Sequence, residues 1–315
     1  MGTFELIKEA EKRIAPHIVR TPYLRAKALD AALGCEAYIK AECMQTTGAF
    51  KLRGAMNKAL SLTRAELDKG LVCASSGNHG RAVAYAARML GTNATVVVPN
   101  SAAPVKVEAI KALGAEVVQC ETSVRFKVAE ELCARKNATL IPPYNDEQVI
   151  AGQGTLGLEI AEQAPELDAV VVPVSGGGLI AGTSCAVKTL RPDVKVYGAE
   201  PAPLPRYSTS LKEGKATTVP QLPTAADALV SQTPGAICFP IVRQYVDAVV
   251  PVSDEYLLKA LGLVLTEAKI FAEPSACIGV GAVLQGALKF EPTQKVCFVV
   301  SGGNASIAQI NALLG

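Results

Sequence analysis

Histidine is nearly absent from this sequence. Only His17 and His79 occur in 315 residues, too few for a histidine-based zinc or iron centre. The nine cysteines are odd in number and include no CxxC pair. In a chain too long to need covalent staples, they argue for free thiols and a cytoplasmic setting. Strong charge of either sign is missing: 31 Lys and Arg face 29 Asp and Glu, a formal net charge of +2. That leaves no basic stripe for nucleic acid and no acidic tail. No apolar run approaches the ~18 residues of a membrane helix, and the opening MGTFELIKEAEKRIAPH is charged where a secretory signal would be apolar. Leu6 stands where a myristoylation signal needs Ser or Thr. These absences point away from membranes and nucleic acid and toward an enzyme acting on a small molecule.

What is present is a rhythm. Half of the residues are apolar, enough for a large core, and the length suggests about two domains. Short β-branched runs alternate with helical patterns: LVCA (71–74), ATVVV (94–98) and AEVVQ (115–119) are each followed by an amphipathic stretch. A second series has DAVVVPV (168–174), VKVYGAE (194–200), DAVVPV (247–252) and KVCFVV (295–300), whose near-continuous hydrophobicity reads as parallel strands buried on both faces. AYIKAEC, just before residue 47, could be another. The break at Pro142-Pro143 and the change in strand spacing predict a smaller α/β domain, residues 69–145, inserted into a larger one made of 1–68 and 146–315. The Pro-rich segments within 201–227 read as long surface connections.

Chemistry gathers at strand ends in such folds. Ser175-Gly176-Gly177-Gly178-Leu179 joins a strand to a helix, where converging N–H groups and the helix dipole suit a phosphate. A tight turn with close strand–helix packing is the plainer account of one such loop. SSGNHG (75–80) and SGGN (301–304) also end strands, and could bind a carboxylate or merely cap helices. TGAFKLRGA (47–55) adds one lysine, Lys51, directly after Phe50.

TGAFKLRGA, SSGNHG, VIAGQGT (149–155), SGGGL, EPSA (273–276) and SGGN, in this order, resemble the fold-type II pyridoxal-phosphate family of serine/threonine dehydratases and serine racemases, over roughly residues 10–312. The resemblance implies a tryptophan synthase beta-like fold, pyridoxal 5'-phosphate as cofactor, and a homodimer. It makes Lys51 the amine that holds the cofactor and moves the substrate's α-proton. Phe50 would lie against the cofactor ring, the 175–179 backbone would hold the phosphate, Asn78 would meet the ring hydroxyl and Ser301 the ring nitrogen. Ser75, Ser76, Asn78 and His79 would bind the substrate carboxylate. Ser76 matches the serine of racemase-type loops and is a candidate base on the face opposite Lys51, or else a helix cap or carboxylate contact. Arg125 resembles an arginine at the substrate's distal end, able to read a second carboxylate, or else it decorates a helix.

A neutral hydroxyl at Ser301 does not hold the ring nitrogen protonated, which favours early loss of a β-substituent. Leu52-Arg53 also points to the dehydratase/racemase side, since cysteine-synthase-like relatives carry Asp soon after the lysine. The expected activity is therefore dehydration of serine, threonine or threo-3-hydroxyaspartate to a 2-oxo acid and ammonia, joined by amino-acid racemisation. The alternative is a racemase that leaks elimination. Ala49 replaces a common serine, and Thr46 stands where nucleotide-responsive racemases have lysine, which argues against ATP activation. Relatives hold a divalent cation with the Glu of an AEP motif, a carbonyl four residues on and an acidic side chain six residues on. Here these are Glu200, Leu204 and Arg206, and an arginine cannot ligate a hard cation.

Overall fold

The structure, a computed structural model, describes residues 2–75 and 77–315. Ten strands form two sheets. The larger comprises β1 (Tyr23–Arg25), β2 (Glu36–Ala41), β7 (Ala169–Pro173), β8 (Lys195–Pro201), β9 (Ala248–Val252) and β10 (Lys295–Val300), in the order β1-β2-β10-β7-β8-β9. Only β1 runs antiparallel to its neighbour. The smaller is fully parallel and contains β3 (Leu71–Ala74), β4 (Ala94–Pro99), β5 (Glu116–Cys120) and β6 (Thr139–Leu140), in the order β5-β4-β3-β6.

The parallel strands are buried on both faces, as their uninterrupted apolar runs require. In β10, Val296, Phe298 and Val300 join the core on one side, while Cys297 and Val299 join the core on the other. Helices Asp254–Thr266 and Ile278–Leu284 cover the first side, and Glu147–Gln163, Gly178–Leu190 and Cys238–Tyr245 cover the second. In β3, Leu71 and Cys73 face one core and Val72 and Ala74 another. The helix Lys51–Leu60 also contributes to the smaller sheet's core, through Leu52, Ala55, Met56 and Ala59.

One expectation needs correction. The Pro-rich stretch 201–227 is not all surface connection. Helix Arg206–Glu213 lies inside it, with Arg206, Tyr207 and Ser210 buried. The helix starts there because both carboxylate oxygens of Glu200 accept from its first N–H groups, Tyr207 N at 2.9 Å and Ser208 N at 2.7 Å. This satisfies donors that a helix leaves open.

Candidate active site

Lys51 opens its helix, and the residue two places on anchors it. Arg53 is fully buried and binds Glu42 at 2.8 Å and Glu159 at 2.7 Å, while Lys40 reaches Glu159 at 2.6 Å. Two cations thus balance two carboxylates, and the guanidinium's fork fixes the helix to its neighbours. Gly152 and Gly154 of the VIAGQGT segment allow the close packing alongside. A Cβ at Gly152 would lie 2.5 Å from Arg53 O, and one at Gly154 would lie 3.0 Å from Gly182 O in the helix that follows the SGGGL loop.

The Lys51 side chain is half-buried, and its Nζ donates to Pro143 O at 2.6 Å. It stands 5.0 Å from the Phe50 ring centroid. Loss of solvent around the amine lowers its pKa to about 8, against a small opposing pull from Cys238. A neutral, nucleophilic amine is therefore accessible near physiological pH. Phe50 N donates to Ser301 O at 3.0 Å, and Ala49 bridges Gly302, so the lysine segment is laced to the end of β10. Ser301 itself is buried, 4% exposed.

Residue Tyr144 follows Pro143 and lies across the glycine loop. A Cβ at Gly176 would fall 2.4 Å from its ring, and one at Gly178 would fall 3.0 Å from its Cβ. Gly177 has φ +101°, and its missing Cβ would meet the Tyr207 hydroxyl at 1.8 Å. The Gly176 carbonyl accepts from Tyr207 Oη at 3.0 Å and from Gly235 N at 2.9 Å. Ser175 Oγ accepts from Ser231 N at 3.3 Å. The helix Gly178–Leu190 begins within the loop, so its first N–H groups lack intrahelical partners.

Asn78 is the first residue of helix Asn78–Met89. Its Nδ2 donates to Glu273 at 2.7 Å, and its Oδ1 accepts from Asn304 at 2.7 Å. Asn304 in turn accepts from Arg81 at 2.6 Å and donates to Thr47 O at 2.9 Å. Burial, with Asp227 adding, raises the Glu273 pKa to about 7. Ser75 Oγ accepts from Gly77 N at 3.3 Å, and Ser76 lies outside the described residues.

The structure therefore brings together Lys51, Phe50, Asn78, Ser301 and, through Pro143 and Tyr144, the 175–179 loop. It turns the His79 side chain elsewhere. His79 is buried, its Nε2–H donates to Ile141 O at 2.8 Å, and burial with nearby Lys51 lowers its pKa to about 3. Only its backbone N–H at the helix start remains for a carboxylate. Arg125 donates to Thr122 O at 2.8 Å and stacks 4.6 Å from the Phe126 centroid. Sequence reasoning assigned nothing to Glu273, Asn304, Tyr144 or Cys238. Glu273 and Asn304 do sit in EPSA and SGGN, which was their one visible signal.

These residues fit pyridoxal phosphate: a lysine of lowered pKa beside an aromatic ring, a glycine cradle at a helix start, and a serine at the end of β10 tied to the lysine segment. The implied divalent cation does not fit. Arg206 is fully buried, and its Nε donates at 3.0 Å to Leu204 O, the carbonyl that would ligate the ion.

The family model "Pyridoxal-phosphate dependent enzyme" matches residues 14–302. The chain is 40% identical over 318 residues to an L-threonine ammonia-lyase of Thermotoga maritima, covering 100% of this chain and 78% of the relative. It is 36% identical over 316 residues to an L-threo-3-hydroxyaspartate ammonia-lyase of Saccharomyces cerevisiae, covering 99% and 96%. The solved structure of maize serine racemase superposes with a TM-score of 0.94 at 37% identity, covering 98% of this chain and 95% of that one.

Proposed function

The chain belongs to the pyridoxal-phosphate dependent enzymes, in the branch of dehydratases and racemases acting on β-hydroxy amino acids, and from that premise we propose that dehydration is its main reaction. Serine, threonine or threo-3-hydroxyaspartate would give a 2-oxo acid and ammonia, with racemisation of the same substrate as a second activity. The observation that carries this reading is Lys51 itself, an amine of pKa about 8 laced by Phe50 to Ser301.

When bound, pyridoxal phosphate supplies an aldehyde and an electron sink for the substrate's Cα. The first N–H groups of helices Gly178–Leu190 and Asn78–Met89 would bind its phosphate and the substrate carboxylate respectively. Lys51 would take the Cα proton and return it to the β-hydroxyl, which leaves as water as the Cβ–O bond breaks and a Cα=Cβ double bond forms. The released enamine hydrolyses to the 2-oxo acid and ammonia. Ser301 would meet the ring nitrogen with a neutral hydroxyl and leave it without a charged partner, which would favour elimination over a long-lived carbanion. In this reading the unit 69–145 carries the substrate carboxylate and the unit formed by 1–68 and 146–315 carries the cofactor. Arg125 would have to turn from Thr122 to read a second carboxylate. We infer a cytosolic homodimer. All nine cysteines are unpaired, and no helix among the described residues is long and apolar enough to cross a membrane.

The test is to assay both enantiomers of the three substrates for 2-oxo acid release and for chiral inversion. Faster inversion than release would make the protein a racemase first. Lys51→Ala should lower both rates by at least ~10²–10⁴-fold, the range for a positioned acid or base. Undiminished turnover in that variant rejects the assignment. Ser76→Ala should abolish inversion and spare release from the L-enantiomer. Equal loss of both would make Ser76 a binding residue only.

A further inference from the structure

Arg206 carries more than the loss of a metal ligand. It is wholly buried, and four N–H···O contacts tie its guanidinium to carbonyls of three separate segments. Nε and one terminal nitrogen donate to Leu204 O at 3.0 and 2.7 Å, the same terminal nitrogen reaches Leu229 O at 2.9 Å, and the other reaches Val174 O at 3.3 Å. Glu200 lies 3.9 Å from Nε, also fully buried. Carbonyl oxygens that converge in a dry interior beside a carboxylate need a cation or a set of donors between them. We propose that the Arg206 guanidinium is a tethered substitute for the divalent ion of related enzymes, holding the surroundings of the glycine loop together without any metal.

The three segments are the ones the loop depends on. Val174 immediately precedes Ser175. Leu229 begins the stretch whose Ser231 N and Gly235 N bind Ser175 Oγ and Gly176 O. Leu204 leads into the helix whose Tyr207 hydroxyl binds Gly176 O at 3.0 Å. A hard divalent ion would need six or more oxygens. Leu204 O is already taken by the guanidinium, and both Glu200 oxygens are taken by Tyr207 N and Ser208 N. Nearby acids are not poised to complete a shifted site. Asp227 pairs with Lys106 at 3.0 Å, and Glu213 accepts from Thr217 Oγ1 at 2.6 Å.

The test is thermal unfolding, read with and without bound cofactor so that it does not depend on turnover. Wild-type protein in EDTA, then in excess Mg²⁺, Ca²⁺ or Mn²⁺, should show one unchanged Tm, and elemental analysis of purified protein should find no stoichiometric ion. An ion bound to the native state at 100 times its Kd would raise Tm by roughly 4 °C. Such a rise, or a stoichiometric ion, overturns the proposal. Arg206→Asp should melt roughly 5–8 °C lower in EDTA and recover part of that loss in Mg²⁺ or Ca²⁺. Arg206→Lys should fall between the two and ignore ions. An Arg206→Asp protein as stable as wild type in EDTA also overturns the proposal. If that variant does not fold, the wild-type measurements decide alone.

Discussion

Glu273 shows how a residue outside any motif role can matter. Its carboxyl is buried, and one oxygen receives the Asn78 amide at 2.7 Å. Burial and Asp227 lift its pKa from 4.5 to about 7. Between those values the folded protein keeps a proton that the unfolded chain gives up, so this group's contribution to stability is greatest below pH 4.5 and is lost as pH rises through 7. Glu273→Gln keeps the acceptor and removes the titration. The Tm difference, wild type minus variant, should therefore fall between pH 5 and pH 8, and a constant difference contradicts the assignment. Lys51, Phe50, the glycines and Ser301 were legible in the sequence because each lies in a contiguous motif. Glu273 was not, because its meaning depends on Asn78, 195 positions away. For His79 the motif pointed to a carboxylate contact through its N–H, and the ring's bond to Ile141 O leaves the backbone N–H for that role.

Among elements, the strands were read to within about a residue, since runs buried on both faces announce themselves. KVCFVV is β10 residue for residue. The three-residue β1 and two-residue β6 escaped, being too short for any period to show. Helix Arg206–Glu213 escaped because prolines precede it and its cap comes from Glu200, outside the stretch. That helix constrains the glycine loop. At Gly177 a side chain would need an unusual positive φ and would meet the Tyr207 hydroxyl. Gly177→Ala should cost ~1–3 kcal/mol and weaken cofactor binding. Tyr207→Phe in the same chain should return only part of both, because the ring carbon behind the hydroxyl would still lie 2.7 Å from the new Cβ. Full recovery, measured by denaturant unfolding and cofactor titration, would show that backbone strain is negligible there.

Across the whole molecule, the two sheets meet over the site through a few polar links: Asn78 to Glu273, Arg81 to Asn304, and Lys106 to Asp227 at 3.0 Å. The last is partly exposed and worth ~1 kcal/mol at most. Lys106→Ala should therefore leave global unfolding nearly unchanged and, in the proposed reading that places the substrate between the units, raise KM by up to ~5-fold. A fall in kcat at constant KM would assign the lysine to chemistry instead. The sheet order has a consequence for how the enzyme is made. β10 is inserted between β2 and β7, with Lys295 beside Glu36 and Phe50 N held by Ser301 O. A chain emerging from the ribosome exposes both flanking strands, and the nucleophilic lysine, long before the strand that separates and completes them exists. Until β10 emerges, β2 presents an unpaired apolar edge, joined later by β7, and both are open to wrong partners and to chaperones. The bond from Phe50 N to Ser301 O, which fixes the lysine segment against β10, can form only after translation has passed residue 301, so the site stays open on that side until then.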